Sequence, residues 1–144
     1  MKGYPKWFSS TLVSSVLGLL FLTGLILAPT TLQLRLEWDV PWRLHEGYRI
    51  AVSALHAFSS ILTLVLVGAL ASIHMRQGWV KRQRRLTGVI MITSLTLLSL
   101  TGLGIYYLGS EKLAFVSGVS HLVVGVLLFF VATLHILTKR MNSR

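Results

Sequence analysis

The sequence predicts an all-α fold: a four-helix transmembrane bundle, one integral membrane domain over residues 1–144, with both termini cytoplasmic. Three observations predict it. The chain is 53% hydrophobic with a mean hydropathy of +0.71, and a soluble domain of 144 residues could not hide that much apolar surface. Four stretches lack Asp, Glu, Lys and Arg altogether: residues 7–34, 50–75, 86–110 and 113–138. Each exceeds the roughly 20 residues needed to cross a hydrocarbon core about 30 Å thick. Such stretches must be helical, because lipid offers no partner for a free backbone group. Finally, the 14 Lys and Arg sort by side. Lys2, Lys6, Arg76, Lys81, Arg82, Arg84, Arg85, Lys139, Arg140 and Arg144 share one face with no acid among them. Arg35, Arg43, Arg49 and Lys112 share the other with all four acids, Glu37, Asp39, Glu46 and Glu111. The positive-inside rule makes the purely basic face cytoplasmic. The net charge of +10 then reads as anchoring to anionic lipid rather than nucleic-acid binding.

The first helix is expected over residues about 8–27. Lys2 and Lys6 before an apolar stretch resemble a signal peptide. The stretch is longer than a signal core, however, and Pro29 follows Ala28 where cleavage would fall. It reads as a retained anchor. An extracytoplasmic segment follows over residues 28–46. Within it Leu32, Leu34, Leu36 and Trp38 alternate with Gln33, Arg35, Glu37 and Asp39. Period two points to a short extended segment, apolar on one face. It would lie on the membrane interface, where Trp38 and Trp42 suit the aromatic belt, or offer an edge to a partner. The other helices are expected over about 46–75, 85–108 and 111–139. The few residues between the last two make them antiparallel neighbours. Leu22-Thr23-Gly24-Leu25 recurs as Leu100-Thr101-Gly102-Leu103, each time ahead of a histidine-bearing helix, as in a duplicated hairpin.

Function is expected at the histidines, since an ionisable side chain inside a span is costly unless it has a task. His56 and His74 lie on the second helix, His121 and His135 on the fourth. At about 100° per residue, the 18 steps from His56 to His74 make whole turns, and the 14 from His121 to His135 nearly do. Each helix then presents one histidine near each membrane face. The depth-matched pairs are His56–His121 outside and His74–His135 inside. Each pair suits a haem, whose iron takes two imidazoles from opposite sides and is left without an open position, which favours electron transfer. The axial spacings differ by about 6 Å, to be absorbed by tilt or by a bend near Ser59-Ser60-Thr63; otherwise His74 drops out and a single haem remains. Gly24, Gly68, Gly102, Gly118 and Gly125 offer room for a macrocycle or for helix packing. Arg43 and Arg49 outside, and Arg76, Lys139 and Arg140 inside, are candidate partners for propionates. His45 is a candidate contact for a quinone headgroup or a propionate. With no cysteine, covalent haem attachment, iron–sulfur ligation and disulfides are excluded.

These residues carry a resemblance. The Leu-Thr-Gly-Leu ends, the paired histidines and the Leu44-His45-Glu46-Gly47 lead-in make the chain resemble small four-helix bacterial membrane b-type cytochromes. That group includes the cytochrome subunits of formate dehydrogenases and nickel–iron hydrogenases. Many relatives carry a ligand histidine at the start of the first helix, where this chain has Lys6-Trp7-Phe8-Ser9. Ligation from the second and fourth helices alone is similar to the cytochrome b of quinol:cytochrome c reductases. The resemblance implies haem b and a multi-pass protein of the bacterial inner membrane. It implies an electron-transfer subunit of a respiratory or photosynthetic oxidoreductase complex rather than a stand-alone enzyme. Its partners would be the quinone pool, other subunits and a periplasmic or membrane-bound carrier. The alternative is a haem-free anchor, an assembly subunit, or a proton or metal conduit using the same histidines.

Overall fold

The computed structural model describes residues 8–81 and 85–141, with the side chains of 72, 74 and 136–141 outside the description. All the regular structure among the described residues is helical, and four of the helices are long and apolar enough to cross a membrane. Helix α1 spans Ser10–Leu36. Its N-cap Ser9 takes the free N–H of Leu12 at 3.1 Å, as short hydroxyl residues do at helix starts. Its C-terminus closes at Glu37, which adopts a left-handed backbone (φ 56°) and returns its N–H to the Leu32 carbonyl.

Helix α1 therefore runs nine residues beyond the expected end at residue 27, through Pro29. Residues 28–36 are helical, not extended, and the connection shortens to 37–45. Leu, Gln and Arg are good helix formers, so an alternating pattern only a few residues long does not override local propensity. Pro29 is tolerated because a proline in a membrane helix forfeits one backbone bond that its surroundings can offset. Beside it, Thr30 Oγ1 is buried without a partner among the described residues. The helical twist also disperses Leu32, Leu34 and Leu36 around the axis, which removes the single apolar edge expected for a partner.

Helix α2 spans Glu46–Leu70 and passes into a π-helical turn, Ala71–Met75, and a short helix α3, Arg76–Val80. The irregularity in this span thus lies at its C-terminal end rather than near Ser59-Ser60-Thr63. A π turn holds an extra residue, so the whole-turn relation between His56 and His74, which assumes unbroken α-helix, does not carry through it. The His74 side chain lies outside the described residues. Arg85 opens helix α4 (Arg85–Tyr107) and ties it back to α3: its guanidinium bonds the Trp79 carbonyl and stacks 4.8 Å from the Trp79 ring centre. Three residues then lead to helix α5, Glu111–Met141.

The helices pack as two antiparallel hairpins, α1 with α2 and α4 with α5, joined through α1 and α5. Phe21 and Phe129 meet edge to face across that junction at 5.4 Å. Burial is inverted relative to a soluble bundle. Ser59, Thr63, Thr23 and Ser117 are buried, while Leu25 is 70% and Ile50 74% exposed. In lipid this is the expected arrangement: apolar side chains face hydrocarbon, and small hydroxyl residues let helices approach. Ser59 and Thr63 return their hydroxyl protons to the carbonyls of Leu55 and Ser59 at 2.7 and 2.8 Å, so neither is an unpaired buried group.

Candidate functional site

The functional side chains face a gap. Among the described residues, α2 is not closely packed against α4 or α5. Into this space α2 sends His56 and α5 sends His121, and their ring centres lie 6.2 Å apart with planes inclined by 73°. The outer pair expected from matched depths is thus brought together.

Each ring is held from within its own hairpin. His56 Nδ1 lies 3.0 Å from Thr23 Oγ1 on α1, and His121 Nδ1 lies 3.1 Å from Thr101 Oγ1 on α4. Thr23 directs its hydroxyl proton to the Leu19 and Leu20 carbonyls at 2.8 and 3.0 Å. Thr101 does the same toward Leu97 at 2.7 Å. With that proton directed to a carbonyl, the threonine oxygen is free to accept, an arrangement that favours an imidazole protonated on Nδ1. A neutral imidazole with its proton on Nδ1 carries its free lone pair on Nε2.

The glycine after each threonine lets the ring approach. A methyl group at Gly24 would sit 3.1 Å from Cε1 of His56, and one at Gly102 3.4 Å from Cε1 of His121. Gly68 faces open space, and Gly125 meets only Leu98 at ordinary contact distance, 3.8 Å. Neither touches a histidine, and both leave room beside the gap.

His135 repeats the pattern one level deeper. Its Nδ1 is 2.9 Å from Thr87 Oγ1, and Thr87 is again followed by a glycine, Gly88. The 14 residues from Thr87 to Thr101 match the 14 from His121 to His135, as an antiparallel hairpin in constant register requires. From the sequence, Thr23 and Thr101 stand out only within a repeated Leu-Thr-Gly-Leu, with no role toward the histidines, and Thr87 does not stand out. The matched spacing is the signal that finds them, together with a third Leu-Thr-Gly at Leu86-Thr87-Gly88.

Arg35 is the other residue the sequence does not single out. Its aliphatic stem and Nε lie over Gly118, where an added methyl would approach Cγ to 3.3 Å and Nε to 3.4 Å. Gly118 precedes His121 by about one turn, so a half-buried cation stands just outside the outer pair. Of the expected arginines, Arg43 is exposed and donates to Gln33 Oε1 at 2.8 Å, and Arg49 is half-exposed near the start of α2. Lys139 and Arg140 have side chains outside the described residues. His45 caps α2 and accepts the Gly47 N–H on Nδ1 at 3.3 Å. It lines an open cleft of about 720 Å³ with Leu25, Pro29, Leu32, Trp42 and Tyr48.

Chemically, two imidazoles do not make a site for a bare ion. Among the described residues no three His, Cys, Asp or Glu side chains converge, whereas protein-only sites for transition metals draw on three or four ligands. Two imidazoles do complete a metal held in a macrocycle. Nitrogen–metal bonds of about 2.0 Å, plus about 1.1 Å from nitrogen to ring centre, would put the centres of two imidazoles sharing such a metal roughly 6.2 Å apart. The observed 6.2 Å fits that requirement. No protein-family model matches the chain, and no curated protein or solved structure is significantly similar to it.

Proposed function

We propose that this chain is a membrane b-type cytochrome subunit that carries electrons across the bilayer between the quinone pool and a redox partner. The observation that supports the reading is the spacing of His56 and His121 between α2 and α5, two helices that are not closely packed on each other among the described residues. These two would hold the outer haem, and His135 with His74 the inner one. Haem b supplies a one-electron couple at its iron.

The chain's own residues orient and insulate that couple. Thr23 and Thr101 fix the ring orientation, and Gly24 and Gly102 admit the rings between helices. Arg35 provides a cation beside the outer site for a propionate carboxylate, a charge-assisted pairing that suits a guanidinium. On the outer surface His45 accepts the Gly47 N–H on Nδ1 and lines the cleft among mostly apolar side chains. A carbonyl headgroup on an apolar tail, as in a quinone, matches that combination. The setting is the bacterial inner membrane, with the partner carrier and other subunits meeting the outer face.

A visible spectrum of the purified membrane protein tests the reading. The reduced protein is expected to show the α-band of b-type haem. A correctly folded, colourless chain would defeat the proposal and favour a haem-free anchor or conduit.

Orientation has its own test. Ten basic residues and no acid in the segments assigned to one face support the reading that both termini are cytoplasmic. A reporter fused after Arg144 is expected to work only if it reads out cytoplasmic location. Activity from a reporter that functions only in the periplasm would invert the topology.

A further inference from the structure

We infer that the three Leu-Thr-Gly steps of this chain are histidine clamps, with Thr23, Thr101 and Thr87 as positioning residues that present His56, His121 and His135 to a metal through Nε2. The inference rests on the cytochrome reading and goes beyond the ligands to what makes them ligands. Leu-Thr-Gly occurs three times in the sequence, at Leu22-Thr23-Gly24, Leu86-Thr87-Gly88 and Leu100-Thr101-Gly102. Each threonine hydroxyl lies within 3.1 Å of the Nδ1 of a different histidine on the next long helix. Low-complexity apolar sequence produces chance tripeptides readily, but not three that each meet an imidazole at hydrogen-bond distance.

The parts divide the work. An intrahelical carbonyl lies within reach of the hydroxyl proton of Thr23 and of Thr101, and with the proton there the oxygen accepts from the ring. That selects the tautomer with Nε2 free. The hydroxyl is fixed to its own helix, and this fixes the rotation of the imidazole. A ring that donates from Nδ1 is also the more basic ligand, and stronger donation favours the oxidised metal. The outer pair is clamped on both sides. For the inner pair the structure assigns one clamp, Thr87 on His135. The glycines are not equivalent: Gly24 and Gly102 touch the rings, whereas a methyl group at Gly88 would meet nothing within 4 Å.

The test uses the full-length protein with Thr23→Val and Thr101→Val, which keep the shape and remove the hydroxyl, and with Thr→Ser, which restores it. Haem retention is expected to weaken about 10- to 100-fold in the valine variants, the usual effect of losing an outer partner of a ligand. The midpoint potential of the haem that remains should rise, and serine should return both toward wild type. Nitrogen-15 NMR of haem-free, histidine-labelled wild-type protein gives a readout that needs neither haem nor a variant. His56 and His121 are expected in the Nδ1–H form. Finding them in the Nε2–H form, or valine variants with wild-type haem content and potential, overturns the clamp while leaving the cytochrome reading intact. A wild-type chain that takes up no haem defeats that reading, and the clamp with it.

Discussion

If the chain holds the two proposed haems, replacing His121 with alanine is expected to cut haem content from about two per chain to about one, because no third His, Cys, Asp or Glu converges on the pair among the described residues to take its place. His56→Ala should do the same and remove the same spectral component, since the two rings face each other at 6.2 Å. The double variant should be no worse than either single one, as befits residues acting as one unit. The fold should survive all three, because Thr23 and Thr101 keep their bonds to their own helices. The measurement is haem per chain with the reduced spectrum resolved into components. The proposed outer site fails if His121→Ala keeps the wild-type complement. His135→Ala and His74→Ala probe the inner site in the same way. A His74 variant with full haem content would mean that the π turn carries that histidine away from a ligand position.

The second large effect concerns helix packing and does not depend on any cofactor. At the end of the α4–α5 hairpin next to its connecting loop, a methyl group on Gly104 would lie 2.5 Å from Ser117 Oγ and 3.1 Å from both Ser117 Cβ and Leu108 Cδ1. No real side chain tolerates the first of these, so α4 and α5 would have to separate. Gly104→Val should therefore destabilise the protein by about 1–3 kcal/mol, the usual cost of overpacking a closed contact. Gly88→Ala, on the same helix with open space before it, serves as the control. It should be neutral or slightly stabilising, since alanine is the better helix former. Thermal unfolding in detergent or lipid compares the two. Equal melting temperatures would show that the helices do not approach as closely at Gly104 as the structure has them.

The contrast between these glycines illustrates how far the chain could be read without its fold. Gly24, Gly68, Gly102, Gly118 and Gly125 all look alike as small residues on apolar helices. In the structure two of them meet imidazoles, one meets Arg35, one meets a leucine at ordinary distance and one meets nothing. Likewise Arg43 and Arg49 look closer to the outer site than Arg35, because an early end to α1 would leave Arg35 in a loop. Once Pro29 fails to stop the helix, Arg35 rides its last turn across to Gly118. The whole-turn relation of His56 and His74 assumes α-helical rise and twist through a stretch that adopts a π turn, and the His74 side chain lies outside the described residues.

The spans, their number and the placement of His56, His121 and His135 within them could be read from composition and spacing. Crossing a bilayer is a property of a single segment: about 20 apolar residues without charge suffice, whatever their neighbours do. Depth is equally local, since each residue advances a helix by about 1.5 Å. Which side chain meets which across the bundle is a different quantity. It depends on the rotation of each helix about its axis and on the register between helices, and apolar residues that face lipid as readily as protein encode neither. The Thr23–His56, Thr101–His121 and Thr87–His135 contacts, the reach of Arg35 to Gly118, and the 6.2 Å between two imidazoles exist only once the hairpins are packed.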